Sequence, residues 1–366
     1  MSEWITNAIN NHYIQQYDYS EFSNVDNIEE GGFGRIKCAD WPCSDRKVAI
    51  KELKFYDIRK FVEEVKIHSS SHSSNYVVRF FGLTRELPSK GYMMVMEYAD
   101  LRSLRNFLSQ KDVIIDWETR YKLSLDIAKG LYCLHSRNIA HRDLHTNNIV
   151  IKRTNAETAC CQPKFIAQIT DFGGAISMDE GVIDVFEDIG QVAFTDPKYL
   201  NGLGNYKKDL CSDIYSMGVI FWEISSGKIP FKSYMSESDN NRDLLLTLEI
   251  INGLREIPSP ETPKGYIELY NSCWKYEPSK RPIIKQIIET LSTESKKIRE
   301  EAHELKENNV IISINIDDNV QSLLVNNQNF GELNNNDNEL EQTKGLKRVA
   351  GFFPIENKKV KLLKSI

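Results

Sequence analysis

Residues 141–148, with the sequence HRDLHTNN, restrict the possible folds of this chain more than any other stretch. The stretch places a carboxylate, Asp143, five residues before an amide, Asn148. A carboxylate can accept the proton of a hydroxyl group, and an amide oxygen can bind Mg²⁺. Asp171, in a DFG sequence, follows the predicted strand Phe165–Thr170 and supplies a second oxygen ligand of this kind. These residues predict a site that removes a proton beside a bound divalent cation.

Two earlier features predict contacts with phosphate groups. The glycine-rich stretch 28–36, IEEGGFGRI, lies between two predicted strands, where a turn lets backbone N–H groups approach an anion. Lys51 ends the apolar run VAIK at 48–51, and Glu64 on the following helix is a partner for its ammonium group, with Glu63 as a rival. Alone, each feature is common, because glycine turns occur in many hairpins and a strand lysine is usually solvated. Their order along the chain, before the two carboxylates, makes the set informative.

Together these segments resemble the eukaryotic protein kinase family over about residues 22–292, because VAIK, HRDLHTNN and DFG match three of its four signatures. Among later segments, 211–219 (CSDIYSMGV) resembles the buried helix beneath the family's catalytic loop. Others resemble the tyrosine-kinase-like branch of that family: 222–223 (WE), 227–231 (GKIPF), 273–274 (CW), Pro278 and 281–282 (RP). Tyrosine kinases have HRDLAARN where this chain has HRDLHTNN, so the resemblance implies a preference for serine and threonine, with tyrosine left open.

The resemblance implies an α+β, two-lobed protein kinase fold, with a small antiparallel β lobe containing one helix and a larger, mainly helical lobe. We place the small lobe at 22–98 and the large lobe at 99–292, after a helical extension at 1–21 and before a polar, asparagine-rich, largely disordered tail at 293–366. Apolar patterning predicts strands at Arg35–Lys37, Val48–Leu53, Val77–Phe81 and Tyr92–Glu97, and helices near Lys60–Ser69 and at Trp117–His135, Ser212–Ser226 and Pro282–Leu291. The charged stretch Ser295–Asn309 could extend the last of these helices.

The same resemblance implies a role for each site residue. Asp143 would orient and deprotonate the substrate hydroxyl, Asn148 and Asp171 would hold Mg²⁺, and Lys51, paired with Glu64, would hold the α- and β-phosphates of ATP. The residues implied for nucleotide binding are Ile28, Gly31, Gly34, Ile36, Ala49, Lys51, Met96, Glu97, Ala99 and Val150. Of these, Ile36, Ala49 and Val150 would enclose adenine, and Met96 would lie at the back of its pocket. The backbone of Glu97 and Ala99 would hydrogen-bond adenine.

Four departures from the family pattern bear on this activity. Glu29 replaces the first glycine of the phosphate loop, His145 replaces a lysine common in serine/threonine kinases, and the connection from Asn148 to Asp171 is longer than usual. Asp196-Pro197-Lys198 replaces Ala-Pro-Glu, whose glutamate pairs with the arginine that corresponds to Arg281. We expect Asp196 to pair with Arg281 instead, since a buried unpaired arginine is costly. A solvated Arg281 is the alternative.

The activation segment, residues 171–198, is poor in sites for phosphorylation. Its hydroxyl residues lie near its two ends and are Ser177 and Thr195. Glu187 and Asp188 stand near the position of the usual phosphate, and we expect one of them to pair with Arg142 permanently. The alternative is that these acids only keep a loop soluble.

Two other functions stay open for the chain. The first alternative to an active kinase is a kinase-shaped binding module with little catalysis. In the second, the tail is the functional part and the domain only supports it.

Composition limits the partners and the location. The net charge of −6 disfavours nucleic acid as a partner, because phosphate binding requires a clustered basic surface. Seven cysteines include no C-x-x-C pair, and no apolar stretch is long enough for a membrane span. Free thiols and the lack of signal-peptide features predict a cytoplasmic location, with nuclear access through basic clusters at 347–348 and 358–361. The expected partners are ATP and protein substrates, and no pattern predicts an oligomeric state.

Overall fold

The computed structural model describes residues 3–30, 34–53, 58–71, 74–87, 90–110, 115–154, 165–179, 191–202, 206–234 and 242–301. The chain divides into two units, one of residues 1–113 and 119–294 and the other of residues 114–118 and 295–366. Within the second unit, Arg299 pairs with Glu118 at 3.1 Å. The first unit contains the predicted site residues that the structure describes.

The sheet of the small lobe has six strands in the described part of the chain: β1 Gln16–Asp18, β2 Ser23–Glu30, β3 Gly34–Trp41, β4 Arg46–Leu53, β5 Phe80–Arg85 and β6 Met93–Glu97. Their order is β1-β5-β6-β4-β3-β2. Neighbouring strands are antiparallel apart from β1, which runs parallel to β5. The predicted antiparallel lobe is therefore extended to a mixed sheet by residues that precede position 22.

Alternation along β6 separates two hydrophobic clusters, one on each face of the sheet. Met93 and Val95 belong to a cluster that also contains Val48 and Ile50 of β4. Met94 belongs to the other cluster, which contains buried residues of two helices, α1 Glu3–Asn10 and α2 Ile58–Ser71. The helices predicted near the N-terminus and near residues 60–69 are thus confirmed.

The large lobe is mainly helical. Its elements are α3 Leu104–Leu108, α4 Trp117–His135, β7 Ile139–Ala140, β8 Ile149–Arg153, β9 Phe165–Ile169, β10 Ile176–Ser177, α5 Pro197–Asn201, α6 Leu210–Ser226, α7 Arg242–Ile251, α8 Lys264–Cys273 and α9 at 284–301. Asp209 caps α6 by accepting the N–H groups of Cys211 and Ser212. A Cβ on Gly218 would lie 2.9 Å from the Cβ of Cys273, so glycine lets α6 and α8 pack closely.

Two predicted element boundaries are wrong. The strand expected at Val77–Phe81 begins only at Phe80, because the buried pair Val77 and Val78 contacts β9 instead: the Val78 N–H donates to the Ile169 carbonyl at 2.9 Å. The last helix begins at residue 284 rather than at Pro282, and it continues to 301, in line with the expected extension into the charged stretch from Ser295. Among the described helices, none has the length and apolar character that crossing a membrane requires.

Candidate active site

Lys51 on β4 lies at the centre of a buried ion-pair network. Its Nζ atom lies 2.6 Å from Glu64 Oε1 on α2 and 2.7 Å from Asp171 Oδ1. Lys51 is 4% exposed and Glu64 is 1% exposed, so water barely screens their charges. The predicted pairing of Lys51 with Glu64 is confirmed, and the rival Glu63 pairs with Lys66.

These contacts determine the charges of the network. Burial would lower the pKa of Lys51, but the charges of Asp171 and Glu64 outweigh burial and raise this pKa. Burial would raise the pKa of Asp171, yet the Lys51 ammonium holds it at about 2. Burial raises the pKa of Glu64, and Lys51 opposes that shift. At neutral pH Lys51 is therefore a cation and Asp171 an anion, which suits phosphate and metal binding respectively.

A buried carboxylate of α6 holds the catalytic loop, residues 141–148. Asp213 is 1% exposed and accepts the backbone N–H groups of His141 and Arg142, each at 2.8 Å. Arg142 has φ +68°, a conformation that non-glycine residues adopt where surrounding contacts hold them in it. Sequence reasoning placed 211–219 beneath this loop without singling out Asp213. A carboxylate inside an otherwise apolar helix was the available signal.

Asp143 and Asn148 lie side by side in the catalytic loop. The Asn148 amide nitrogen donates to the Asp143 carbonyl at 2.9 Å and lies 3.3 Å from its Oδ2. His145 Nδ1 accepts the Asn147 N–H, and Nε2 of the same ring lies 3.6 Å from Asp143 Oδ2. Burial would raise the pKa of Asp143, but the nearby His145 outweighs burial and lowers it. Asp143 is thus ionised at neutral pH and able to accept a proton.

Strands β8 and β9 bring Asp171 to the catalytic loop. The Thr170 N–H donates to the Asn148 carbonyl at 3.0 Å, directly beside the paired strands. A Cβ on Gly174 would lie 3.6 Å from the Cβ of Asp143, so the two loops are in contact. The structure therefore assembles the five predicted catalytic residues: Lys51, Glu64, Asp143, Asn148 and Asp171.

A second buried network ties the catalytic loop to α3 and α6. The Glu223 carboxylate accepts hydrogen bonds from Thr146 Oγ1 at 3.0 Å and from Arg105 Nη2 at 3.1 Å. Arg105 Nε also donates to Thr146 Oγ1 at 2.9 Å. Burial raises the pKa of Glu223 to about 7, although Arg105 and Thr146 oppose the shift. Sequence reasoning missed this network, since nothing in the local pattern relates residues so far apart.

The predicted wall of the nucleotide site is apolar and spans the two lobes. Ala49 lies opposite Cys38 on one side and Met96 on the other in the sheet registers. Met96 is 4% exposed, and Val150 of β8 packs against the cluster to which Met96 belongs. Ile36 lies opposite Lys51 on the neighbouring strand. These side chains form one apolar surface next to the Lys51 ion pair.

Glu97 lies at the end of β6, and its side chain is engaged by other residues rather than directed to the nucleotide. Its carboxylate accepts hydrogen bonds from Lys152 and from Gln168, the latter at 3.0 Å. Its backbone N–H donates to the Arg79 carbonyl at 2.8 Å. The carbonyl oxygen is therefore the Glu97 group that suits the predicted contact with adenine.

His68 on α2 completes a stack of rings behind the ion pair. Its ring centroid lies 4.5 Å from that of Phe172 and 6.0 Å from that of Phe80, and Phe172 lies 5.5 Å from His141. His68 is 1% exposed, and neither ring nitrogen makes a hydrogen bond of ordinary geometry, with only a weak polar contact to the Val78 backbone. A buried polar ring of this kind costs stability.

Replacing His68 with leucine is expected to raise the free energy of unfolding by about 1–3 kcal/mol at pH 7, because a poorly satisfied polar group is removed. Burial lowers the pKa of His68 to about 3. In the unfolded chain the His68 imidazole has its ordinary pKa of ~6.5, so between that pH and about 3 the unfolded state binds more protons than the folded state. In this pH range the free energy of unfolding of the parent decreases by about 1.4 kcal/mol for each unit by which pH falls, whereas that of His68→Leu does not. Urea unfolding at several pH values measures both effects. His12→Asn, at an exposed histidine, is the control. Equal stabilities for parent and His68→Leu at every pH would contradict this prediction.

Asp196 replaces the family glutamate as the partner of Arg281, as predicted. Arg281 Nη1 and Nη2 donate to the two carboxylate oxygens at 2.5 and 2.8 Å, and both side chains are inaccessible to water. The remaining N–H groups of Arg281 donate to the carbonyls of Lys275, Cys211 and Tyr276. The alternative of a solvated Arg281 is wrong. Lys198, in the glutamate position, pairs with Glu277 at 3.2 Å.

Some predictions fall outside the residues that the structure describes. They concern Gly31, the pairing of Glu187 or Asp188 with Arg142, the insertion from residue 155 to 163 and the tail beyond 301. The two hydroxyl residues of the activation segment are described. Ser177 pairs with Ile139 in a strand ladder, and Thr195 is 5% exposed and donates to the Gln191 carbonyl. Thr195 is therefore a poor target for a modifying enzyme in this conformation.

A family model for protein tyrosine and serine/threonine kinases matches residues 22–291. The chain belongs to this protein kinase family, and the predicted fold, with a sheet-containing small lobe and a mainly helical large lobe, is confirmed.

Similar curated proteins agree with this assignment. Cyclic GMP-binding protein C of Dictyostelium discoideum is 31% identical over 278 residues, which are 75% of this chain and 10% of that protein. A probable serine/threonine-protein kinase of the same organism is 28% identical over 80% of this chain and 33% of its own length. A putative serine/threonine-protein kinase/receptor of Acanthamoeba polyphaga mimivirus is 27% identical over 80% of this chain and 16% of its own length. The chain thus spans a third or less of these relatives.

Proposed function

We propose that the chain is an active protein kinase that transfers the γ-phosphate of ATP to serine and threonine hydroxyls of proteins. The observation that carries the proposal is the assembly of an ionised Asp143 beside Asn148 and of Lys51 between Glu64 and Asp171. The names of several relatives as serine/threonine-protein kinases support the choice of hydroxyl.

Each residue has one task in this mechanism. Asp143, whose pKa lies below its usual value, accepts a hydrogen bond from the substrate hydroxyl and orients it. It takes up the hydroxyl proton as the hydroxyl oxygen bonds to the γ-phosphorus, while the bond from that phosphorus to the β–γ bridging oxygen breaks and ADP leaves. Lys51 binds phosphate oxygens of ATP and holds them in line with that hydroxyl. Glu64 keeps the ammonium of Lys51 in place at 2.6 Å.

Mg²⁺ fits the oxygen donors of this site. The Asn148 amide nitrogen is engaged by Asp143, which leaves its oxygen as the ligand atom, and Asp171 supplies an ionised carboxylate. No group of three or more His, Cys, Asp or Glu side chains among the described residues is arranged to hold a metal ion. Two protein oxygens suit Mg²⁺, which usually completes its shell with water and substrate phosphates. Bound there, it would neutralise charge on the phosphates.

Phosphosite mapping on mixed protein substrates tests this function. With ATP and Mg²⁺ the chain is expected to produce phosphoserine and phosphothreonine, and a parallel sample of Asp143→Asn is expected to produce neither. Absence of transfer by the parent chain would favour the binding-module alternative. Phosphotyrosine as the sole product would overturn the proposed specificity.

Replacing Lys51 with methionine is expected to lower kcat by about 10²–10³-fold, because one preorganised charge on the phosphates is lost. The fold should persist, since methionine fills most of the same buried volume. Kinase assays and thermal unfolding, run together, measure the two effects. Lys47→Met, at an exposed position of the same strand, is the matched control. Transfer by Lys51→Met at the parent rate would show that Lys51 has been assigned the wrong role.

We further propose a cytoplasmic location with access to the nucleus. The basic clusters at 347–348 and 358–361 support this, since import receptors recognise such sequences. A fluorescent fusion of residues 340–366 should accumulate in nuclei. An even distribution between compartments would exclude import through this tail.

A further inference from the structure

Helix α1 and the segment after it share one hydrophobic core with α2. The buried members of this cluster include three residues from before position 22, Ile5, Ala8 and Ile14, which are 0%, 4% and 4% exposed. From α2 it includes Phe61, Val62 and Val65, and from the sheet Leu83 and Met94. Lys66 of α2 also lies 5.6 Å from the centroid of the Trp4 ring. Helix α1 is therefore packed against α2 and the sheet at once.

Strand β1 fastens this segment to the sheet. Gln16, Tyr17 and Asp18 pair in parallel with residues 83–85, and the Leu83 N–H donates to the Gln15 carbonyl at 2.9 Å. A Cβ on Gly82 would lie 2.2 Å from that carbonyl oxygen, and Gly82 has φ +156°. Only glycine allows the two backbones to approach this closely. Both the segment before β1 and strand β5 therefore contribute to this close contact.

Glu64 and His68 are the α2 residues that contact the catalytic site. Glu64 reaches toward the ion pair with Lys51, and His68 places a poorly satisfied ring against Phe172. A buried ion pair contributes little net stability, because desolvation offsets the attraction, and a buried polar ring contributes less than an apolar one. The apolar contacts of Phe61, Val62 and Val65 must therefore supply much of the free energy that holds α2 in place.

We propose that α1 is a positioning element for catalysis, in which Ile5 and Ala8 hold α2 where Glu64 pairs with Lys51. The segment thus acts on phosphate transfer through Glu64, without touching either substrate. This inference rests on the proposed kinase function. It also assigns a catalytic purpose to residues that lie before the part of the chain matched by the family model.

Two variants that add the same charge to α1 test the proposal in the full chain. Ile5→Asp places a carboxylate in the shared core, whereas Asn7→Asp places it on the exposed side of the same helix. Ile5→Asp should lower kcat roughly tenfold, because α2 then occupies other positions most of the time. Asn7→Asp should keep the parent kcat. Equal kcat for both variants would overturn the proposal.

A double-mutant cycle separates positioning from general damage. If Ile5 acts through Glu64, Ile5→Asp should cause no further loss of kcat in a Glu64→Gln background. Losses that simply multiply would mean that Ile5 acts by another route, and would contradict the inference.

Hydrogen exchange tests the contact between α1 and α2 without measuring activity. The test therefore remains decisive even in the case that the parent chain transfers no phosphate. Ile5→Asp should speed exchange in α2 while α6 keeps its protection. If Ile5→Asp unfolds both helices, the milder Ile5→Ala decides. Faster exchange in α2 alone then supports the proposal, and parent-like exchange in α2 overturns it.

Discussion

Replacing Asp143 with asparagine is expected to lower kcat by about 10²–10⁴-fold, the range attributed to a positioned general base. Asparagine keeps the size of the side chain but cannot accept the proton of the substrate hydroxyl. It also removes the negative charge that lies 3.6 Å from His145 Nε2. Single-turnover phosphate transfer measures the chemical step directly, without a contribution from product release.

Two controls make the Asp143 result interpretable. Thermal stabilisation by ATP and Mg²⁺ should persist in Asp143→Asn, since Lys51 and Asp171 are unchanged. Asp243→Asn removes a carboxylate whose side chain is 76% exposed on α7, and it should transfer phosphate at the parent rate. Parent-like transfer by Asp143→Asn would show that another group takes the proton.

Replacing Asp196 with alanine should lower the free energy of unfolding by about 3–5 kcal/mol, because the buried Arg281 guanidinium then has no anionic partner. Three backbone carbonyls would remain as its acceptors, and they satisfy hydrogen bonds without cancelling the charge. Urea unfolding measures this loss. Glu277→Ala breaks only the half-exposed pair with Lys198, so it should change the unfolding free energy by at most about 1 kcal/mol.

A rescue variant tests the origin of that loss. Lys198→Glu in the Asp196→Ala background recreates the Ala-Pro-Glu sequence common in the family, and it should recover part of the lost stability by returning an anion to Arg281. A loss below 1 kcal/mol for Asp196→Ala would show that Arg281 finds compensation elsewhere. Equal stability with and without Lys198→Glu would mean that the relocated carboxylate cannot reach the guanidinium.

Short motifs were enough to predict the catalytic residues. Asp143 and Asn148 lie five residues apart in one loop, so their relation is local and can be seen in a linear pattern. The pairing of Lys51 with Glu64 was predictable for a similar reason, because a strand followed directly by a helix brings few candidates within reach. The choice of Glu64 over Glu63 follows from helix geometry, since only one of two adjacent residues can face the sheet.

Supporting residues were harder to find. Asp213 and Glu223 lie on α6, more than 70 positions from the loop residues they contact. The prediction of a strand at Val77–Phe81 was wrong at its start. Burial and β-propensity indicate that an apolar residue is internal, but they do not specify which strand it contacts. In this case the partner of Val78 is Ile169 on β9 rather than a strand of the small lobe.

The linear pattern of residues decided the fold class, most helices and the chemistry of the site, because periodicity and motif spacing depend on near neighbours. Packing alone decided that His68 is buried beside Phe172 and that α1 shares a core with α2. Each of these contacts joins residues distant in the chain. Its energy depends on burial and on the exact approach of the groups, which exist only once the whole domain has folded.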